Sequence, residues 1–112
     1  MSKYRNKKTV YKNIKFDSLK ELNRYKELEI LFKIGEITDL KTQPKYLLQE
    51  AFKHNVNGKL KTHRAINYIA DFEYKKGYVT YVEDVKGMKT DVYKLKKKLF
   101  LMKYPTLRFY EM

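Results

Sequence analysis

Between Ser18 and Gly35, apolar side chains recur every three or four positions, at Leu19, Leu22, Tyr25, Leu28, Leu31 and Ile34. That spacing predicts an amphipathic helix of about five turns. Ser18 followed by Glu21 is a capping-box pattern at its start, and Gly35 is the residue type that tolerates a left-handed turn at its end. Gln43-Pro44 interrupts, and Lys45 to Phe52 running into the polar stretch His54 to Gly58 predicts a strand entering a turn. From Ile66 the period becomes two, with Ile66, Tyr68, Ala70, Phe72 and Tyr74 on one face and Asn67, Ile69, Asp71 and Glu73 on the other. Lys76-Gly77 predicts a tight turn, and Tyr78 to Val85, rich in β-branched and aromatic residues, predicts the next strand. Thr90 to Tyr104 returns to helical spacing, with Val92, Leu95, Leu99 and Met102 on one stripe and Lys94, Lys97 and Lys98 largely off it. Pro105 stops that helix, and Thr106 to Glu111 predicts a short final strand. The order is helix, three strands, helix, strand, an α/β or α+β layer structure with one mixed sheet.

At 112 residues the chain has room for a single domain, 1–112, and its 43% hydrophobic and 15% aromatic content is that of a folded protein. The absence of cysteine removes disulfide scaffolds, thiolate metal sites and thiol nucleophiles. No signal-peptide pattern opens the chain and no apolar run approaches a membrane span, so an intracellular, cytoplasmic protein without membrane contact is expected. Charge changes the picture most. With 26 Lys+Arg against 13 Asp+Glu the net charge is +13, which calls for a polyanionic partner, nucleic acid first. The excess falls in two zones: a basic N-terminal arm over about 1–15, containing Lys7 and Lys8, and residues 86–103, where Lys89, Lys94, Lys97 and Lys98 are the expected DNA contacts along with Arg64 upstream. His54 and His63 lack acid or thiol partners at ligand spacing and are expected at the surface. Tyr25, Tyr68, Tyr74 and Tyr93 fall on core-facing stripes, leaving Tyr4, Tyr11, Tyr78 and Tyr81 for sugar or base contact.

The fragment with chemistry in it is Glu83-Asp84-Val85-Lys86. Side chains two apart on a strand share a face, so Asp84 and Lys86 can act on one atom, whereas Glu83 points away. A two-residue turn at Lys76-Gly77 sets Asp71 across from Val82 and diagonal to Asp84, near enough for both carboxylates to clasp one cation. Hard oxygen donors without cysteine favour Mg²⁺ or Mn²⁺. Taken alone, the same three residues also describe a surface ion pair worth under about 1 kcal/mol.

Four segments arriving in order carry a resemblance: FDSLKELNRYKELEIL from Phe16, Gln43-Pro44, the R-x-x-x-Y-x-A-D-F-x-Y run from Arg64 to Tyr74, and VEDVKG from Val82 to Gly87. Over about residues 10–105 the chain resembles a phage family of PD-(D/E)XK nucleases described as Holliday-junction-resolvase-like. The resemblance implies a restriction-endonuclease-like core of order αβββαβ, with a central mixed sheet flanked by helices. It also implies a Mg²⁺- or Mn²⁺-dependent endonuclease acting on branched DNA in phage recombination or replication, inside a bacterial host. Asp71 then fills the first acid, Asp84 the second and Lys86 the motif lysine, with Glu21 as an additional metal-directed acid. Ala70 stands where the family name has proline, and Asp84 replaces the commoner glutamate, leaving Glu83 as the competing assignment. Glu21 is equally accounted for as part of the helix cap. Symmetric cutting of a four-way junction needs two active sites, hence a homodimer. A non-catalytic nucleic-acid-binding module, or a nuclease for flaps or single strands, is the alternative.

Overall fold

A computed structural model describes residues 8–85 and 89–112. The expectations for Tyr4, Lys7 and Lys86 therefore lie outside the described residues. The chain is a mixed α+β structure. Its first elements are strands β1 (Thr9–Tyr11) and β2 (Ile14–Phe16), an antiparallel hairpin that leads into helix α1 (Leu19–Lys33). Residues 8–15 of the stretch expected as a basic arm form most of this hairpin, which ends with Phe16 buried in the core. Ser18 caps α1 as the pattern requires, its Oγ accepting from the Glu21 N–H at 3.1 Å, and Gly35 takes a left-handed φ of 82° just past the helix.

Strands β3 (Thr38–Thr42), β4 (Lys45–Gln49), β5 (Phe52–Val56), β6 (Lys59–His63), β7 (Ile66–Ile69), β8 (Phe72–Lys76) and β9 (Val79–Asp84) follow, then helix α2 (Asp91–Lys103) and β10 (Arg108–Glu111). The central sheet has the order β10-β9-β8-β3, with β10 parallel to β9 and the other pairings antiparallel. β4 pairs with β7, and β5 with β6, in separate two-stranded ribbons.

Alternation along β8 and β9 divides the interior into two cores. Phe72, Tyr74 and Val85 face α1, packing with Phe16, Leu22, Leu28 and Ile37. Val82 faces the other way, into a cluster with Tyr46, Tyr68, Ala70, Tyr93 and Phe100 from β4, β7 and α2. Three expectations change here. The segment Ile66 to Tyr74 is not one strand: it bends at Ala70-Asp71, so Tyr68 and Ala70 serve the α2-side core while Phe72 and Tyr74 serve the other. A two-residue period cannot reveal such a bend, because the alternation resumes unchanged in sequence on either side of it. The Lys45 to Phe52 strand breaks after Gln49, and the polar stretch beyond it, expected as a turn, is itself the hairpin β5–β6. The third change concerns α2, which buries Tyr93 and Phe100 and leaves Val92, Leu95, Leu99 and Met102 between 42% and 84% exposed. Two stripes on this helix have three-to-four spacing, and the one with the larger aromatic rings is buried, where ring contacts at 4.8–5.4 Å with Tyr46, Tyr68 and Tyr104 fill the core. No helix among the described residues is long and apolar enough to cross a membrane.

Candidate active site

The β8–β9 hairpin determines which acids meet. Its register runs Phe72↔Glu83, Tyr74↔Tyr81, Lys76↔Val79, so the turn residues are Gly77 and Tyr78 rather than Lys76 and Gly77. Gly77 has φ 64° at the first turn position, where glycine alone adopts a left-handed backbone without strain. The shift amounts to two residues, so every side chain keeps its expected face while the partners change. The ladder ends at Phe72↔Glu83, and beyond it Asp71 bonds the Glu83 carbonyl and the Val85 N–H, on either side of Asp84, instead of standing across from Val82.

Main-chain bonds hold Asp71 in place. Its N–H donates to the Glu83 carbonyl at 3.1 Å, its carbonyl accepts from Gln43 N–H at 2.9 Å, and its Oδ2 accepts from the Val85 N–H at 2.6 Å. Asp84 is fully buried, and its Oδ2 accepts a hydrogen bond from the Tyr68 hydroxyl. Burial pushes the Asp71 carboxyl well above the usual carboxylate range; the neighbouring charge of Asp84, a hydrogen bond shared with it and the charge of Glu21 push the same way, against the Val85 N–H. Glu21, on the first turn of α1, is itself only 4% exposed. Of the four residues expected in the catalytic centre, Asp71 and Asp84 are neighbours, Glu21 is buried on α1 and adds its charge to the field at Asp71, and Lys86 is not among those described.

Glu83, the competing assignment, has another role. It lies on the α1 side, where Arg24 donates to its two oxygens from Nε and Nη2 at 2.7 and 2.6 Å and the Tyr74 hydroxyl donates to it. Hydrogen bonding to Glu83 holds the Arg24 pKa above its ordinary value. A carboxylate so fully occupied is a structural counter-ion for Arg24.

A model of the family described as "Protein of unknown function (DUF1064)" matches residues 1–111. The chain belongs to the DUF1064 family. No curated protein and no solved structure matches it.

Around the paired aspartates lie groups that sequence reasoning missed. Glu111, which pairs with Asp84 across β10 and β9, accepts from the Tyr93 hydroxyl at 2.5 Å and from Lys97 Nζ at 3.0 Å, and Lys89 Nζ stands 3.3 Å away. These bonds hold its carboxyl down at about 2, the Tyr93 hydroxyl contributing most. Lys89 and Lys97, expected to contact DNA directly, are thus bound to an acid beside the site. Lys8, Arg64, Lys94 and Lys98 are exposed. Tyr81 is not an isolated base-contact candidate, since it stacks between Tyr74 and Tyr110 at 5.4 and 6.0 Å, and Tyr11 donates to Glu29 at 3.0 Å. Tyr78 is fully exposed at the hairpin tip.

In kind, the donor set suits a hard divalent cation: two buried carboxylates are neighbours, and the charge of a third raises the proton affinity of the first. Among the described residues, no three His, Cys, Asp or Glu side chains close on a single ion. Asp71 and Asp84 spend an oxygen each on Val85 and Tyr68 in this arrangement.

Proposed function

We propose that the chain is a metal-dependent endodeoxyribonuclease of the PD-(D/E)XK type that cuts branched DNA such as four-way junctions. The observation that carries this reading is the pairing of buried Asp71 and Asp84 across adjacent strand ends, with Glu21 third. Topology supports it. Taken in order, α1, β3, β8, β9, α2 and β10 read αβββαβ, with β4 to β7 as an excursion and β10 parallel to β9.

Asp71 and Asp84, with Glu21 behind them, would hold Mg²⁺ or Mn²⁺, which when bound supplies Lewis-acid polarisation of the scissile phosphate and a more acidic water. The main-chain bonds to Asp71 and the Tyr68 bond to Asp84 fix the carboxylates before substrate arrives, so little reorganisation is needed at the moment of reaction. Lys86, two positions after Asp84, is assigned the amine that stabilises charge developing on phosphorus. Positive charge on the rest of the chain draws in the DNA backbone. Cutting both strands of a junction takes two such centres, so the reading includes a homodimer. The exposed apolar strip of Val92, Leu95 and Leu99 on α2 beside Ile66 and Ile69 on β7 supports it, as a surface that a second copy would cover.

The test incubates supercoiled plasmid, a synthetic four-way junction and a flap substrate with Mg²⁺ and the parent protein, Asp84→Asn or Lys86→Ala. The parent is expected to cut, the junction most readily, and each variant to cut about 100-fold more slowly or less. A second reading, a non-catalytic DNA-binding module on the same fold, is favoured by the protein hydrogen bonds already made by Asp71 and Asp84. Binding by all three proteins with cleavage by none would establish it instead.

A further inference from the structure

The β5–β6 hairpin has no structural task that burial can explain. Every residue of β5 and four of the five in β6 are exposed, and the ribbon packs substantially on no other described helix or strand. An isolated two-stranded ribbon is marginal in water. This one is nevertheless well specified: Asn57 and Gly58 both take left-handed φ, 54° and 78°, as a type I′ turn requires, and Phe52 stacks on His63 at its base at 4.7 Å. The segment from Phe52 to Arg64 carries Lys53, Lys59, Lys61 and Arg64, two histidines and no acid. Its register sets Lys61 beside His54 and Lys59 beside Val56 on one face, with Lys53 beside Thr62 and Asn55 beside Leu60 on the other. So many cations on a slender projection repel one another unless a polyanion comes between them.

We infer that the β5–β6 ribbon is a DNA-binding arm that enters the major groove of duplex DNA next to the cut site. This rests on the DNA-processing reading above but names a contact separate from the acidic centre. Five residues per strand give a ribbon about 17 Å long with its strands about 4.8 Å apart. The major groove of B-form DNA, about 12 Å wide, admits a two-stranded ribbon, whereas the narrow major groove of A-form RNA does not. Asn55 and Thr62 then bring hydrogen-bonding groups toward base edges from one face, where Lys53 reaches a phosphate at the ribbon's base, while Lys59 and Lys61 on the other face reach back to phosphates of the groove walls.

The test measures duplex binding by fluorescence anisotropy in EDTA, so that neither metal nor cleavage enters, over a range of salt. It compares the parent, the variant Lys53→Gln/Lys59→Gln/Lys61→Gln, and a charge-matched control, Lys15→Gln/Lys26→Gln/Lys33→Gln. Thermal melting checks that each is folded. The ribbon variant is expected to lower the slope of log Kd against log salt by about three, one per lost phosphate contact, and the control by less. Dimethyl sulfate should show guanine N7 protected by the parent and unprotected with the ribbon variant, and the parent should bind double-stranded RNA more weakly than DNA. An unchanged slope, a slope lost equally in the control, no N7 protection by the parent, or equal affinity for the two duplexes would each overturn the inference. A parent that binds through the ribbon yet never cuts would overturn the nuclease reading alone. A parent that cuts while the ribbon variant binds unchanged would overturn the ribbon alone.

Discussion

Asp71 binds its proton more tightly in the folded chain than in the unfolded one, because burial and the charges of Asp84 and Glu21 penalise its ionised form. Between the ordinary aspartate value and the raised one, the folded state therefore holds more protons, and stability falls as pH rises through that window. Thermal melts in EDTA from about pH 4 to about pH 9 are expected to show this decline, with Asp71→Asn flattening it and Mg²⁺ restoring stability at the alkaline end. Equal pH slopes for parent and variant would contradict it. Glu83, also buried, has a cationic partner in Arg24. Arg24→Met leaves the Glu83 charge buried without its guanidinium and should cost about 3–5 kcal/mol in urea unfolding, while the further change Glu83→Gln recovers much of that loss. The double variant should still cut DNA, since Glu83 belongs to the α1 side. At this scale the sequence separated Asp84 from Glu83 because strand periodicity alone decides it. It was silent on Tyr68, Tyr93 and Glu111, whose meeting with the site depends on how β7, α2 and β10 pack.

Gly77 shows how one backbone position aligns two elements. A methyl group there meets open space, so the cost of Gly77→Ala is conformational, about 1–2 kcal/mol by urea unfolding, from forcing a left-handed φ on an L residue. A cost near zero would mean that the hairpin can turn elsewhere, and the Asp71 to Asp84 alignment would lose its anchor. Helix α1, strand β9, helix α2 and the final strand were legible, since capping residues, β-branched runs and Pro105 are local signals. Strand β3 was not, since Thr38 to Thr42 is too short and polar to show a period. The β5–β6 hairpin was not, since a ribbon exposed on both faces has no hydrophobic alternation to read, and its Asn57-Gly58 turn signal was its one legible mark. On α2 both stripes satisfied the helical period, and only the tertiary fit of aromatic rings selects between them.

For the whole molecule, charge and the uncovered α2–β7 strip lead to separable expectations. Leu95→Glu should shift sedimentation on junction DNA from two copies per junction to one, leaving the melting temperature within a few degrees, because Leu95 is 59% exposed. A parent that sediments as a monomer on the junction would remove the dimer. None of this bears on the centre itself, for which direct metal binding is decisive. Calorimetric titration of Mn²⁺ into the parent, Asp71→Asn and Asp84→Asn is predicted to show saturable binding by the parent and its loss in both variants. Saturable binding of equal strength in all three, or none in the parent, would contradict the account.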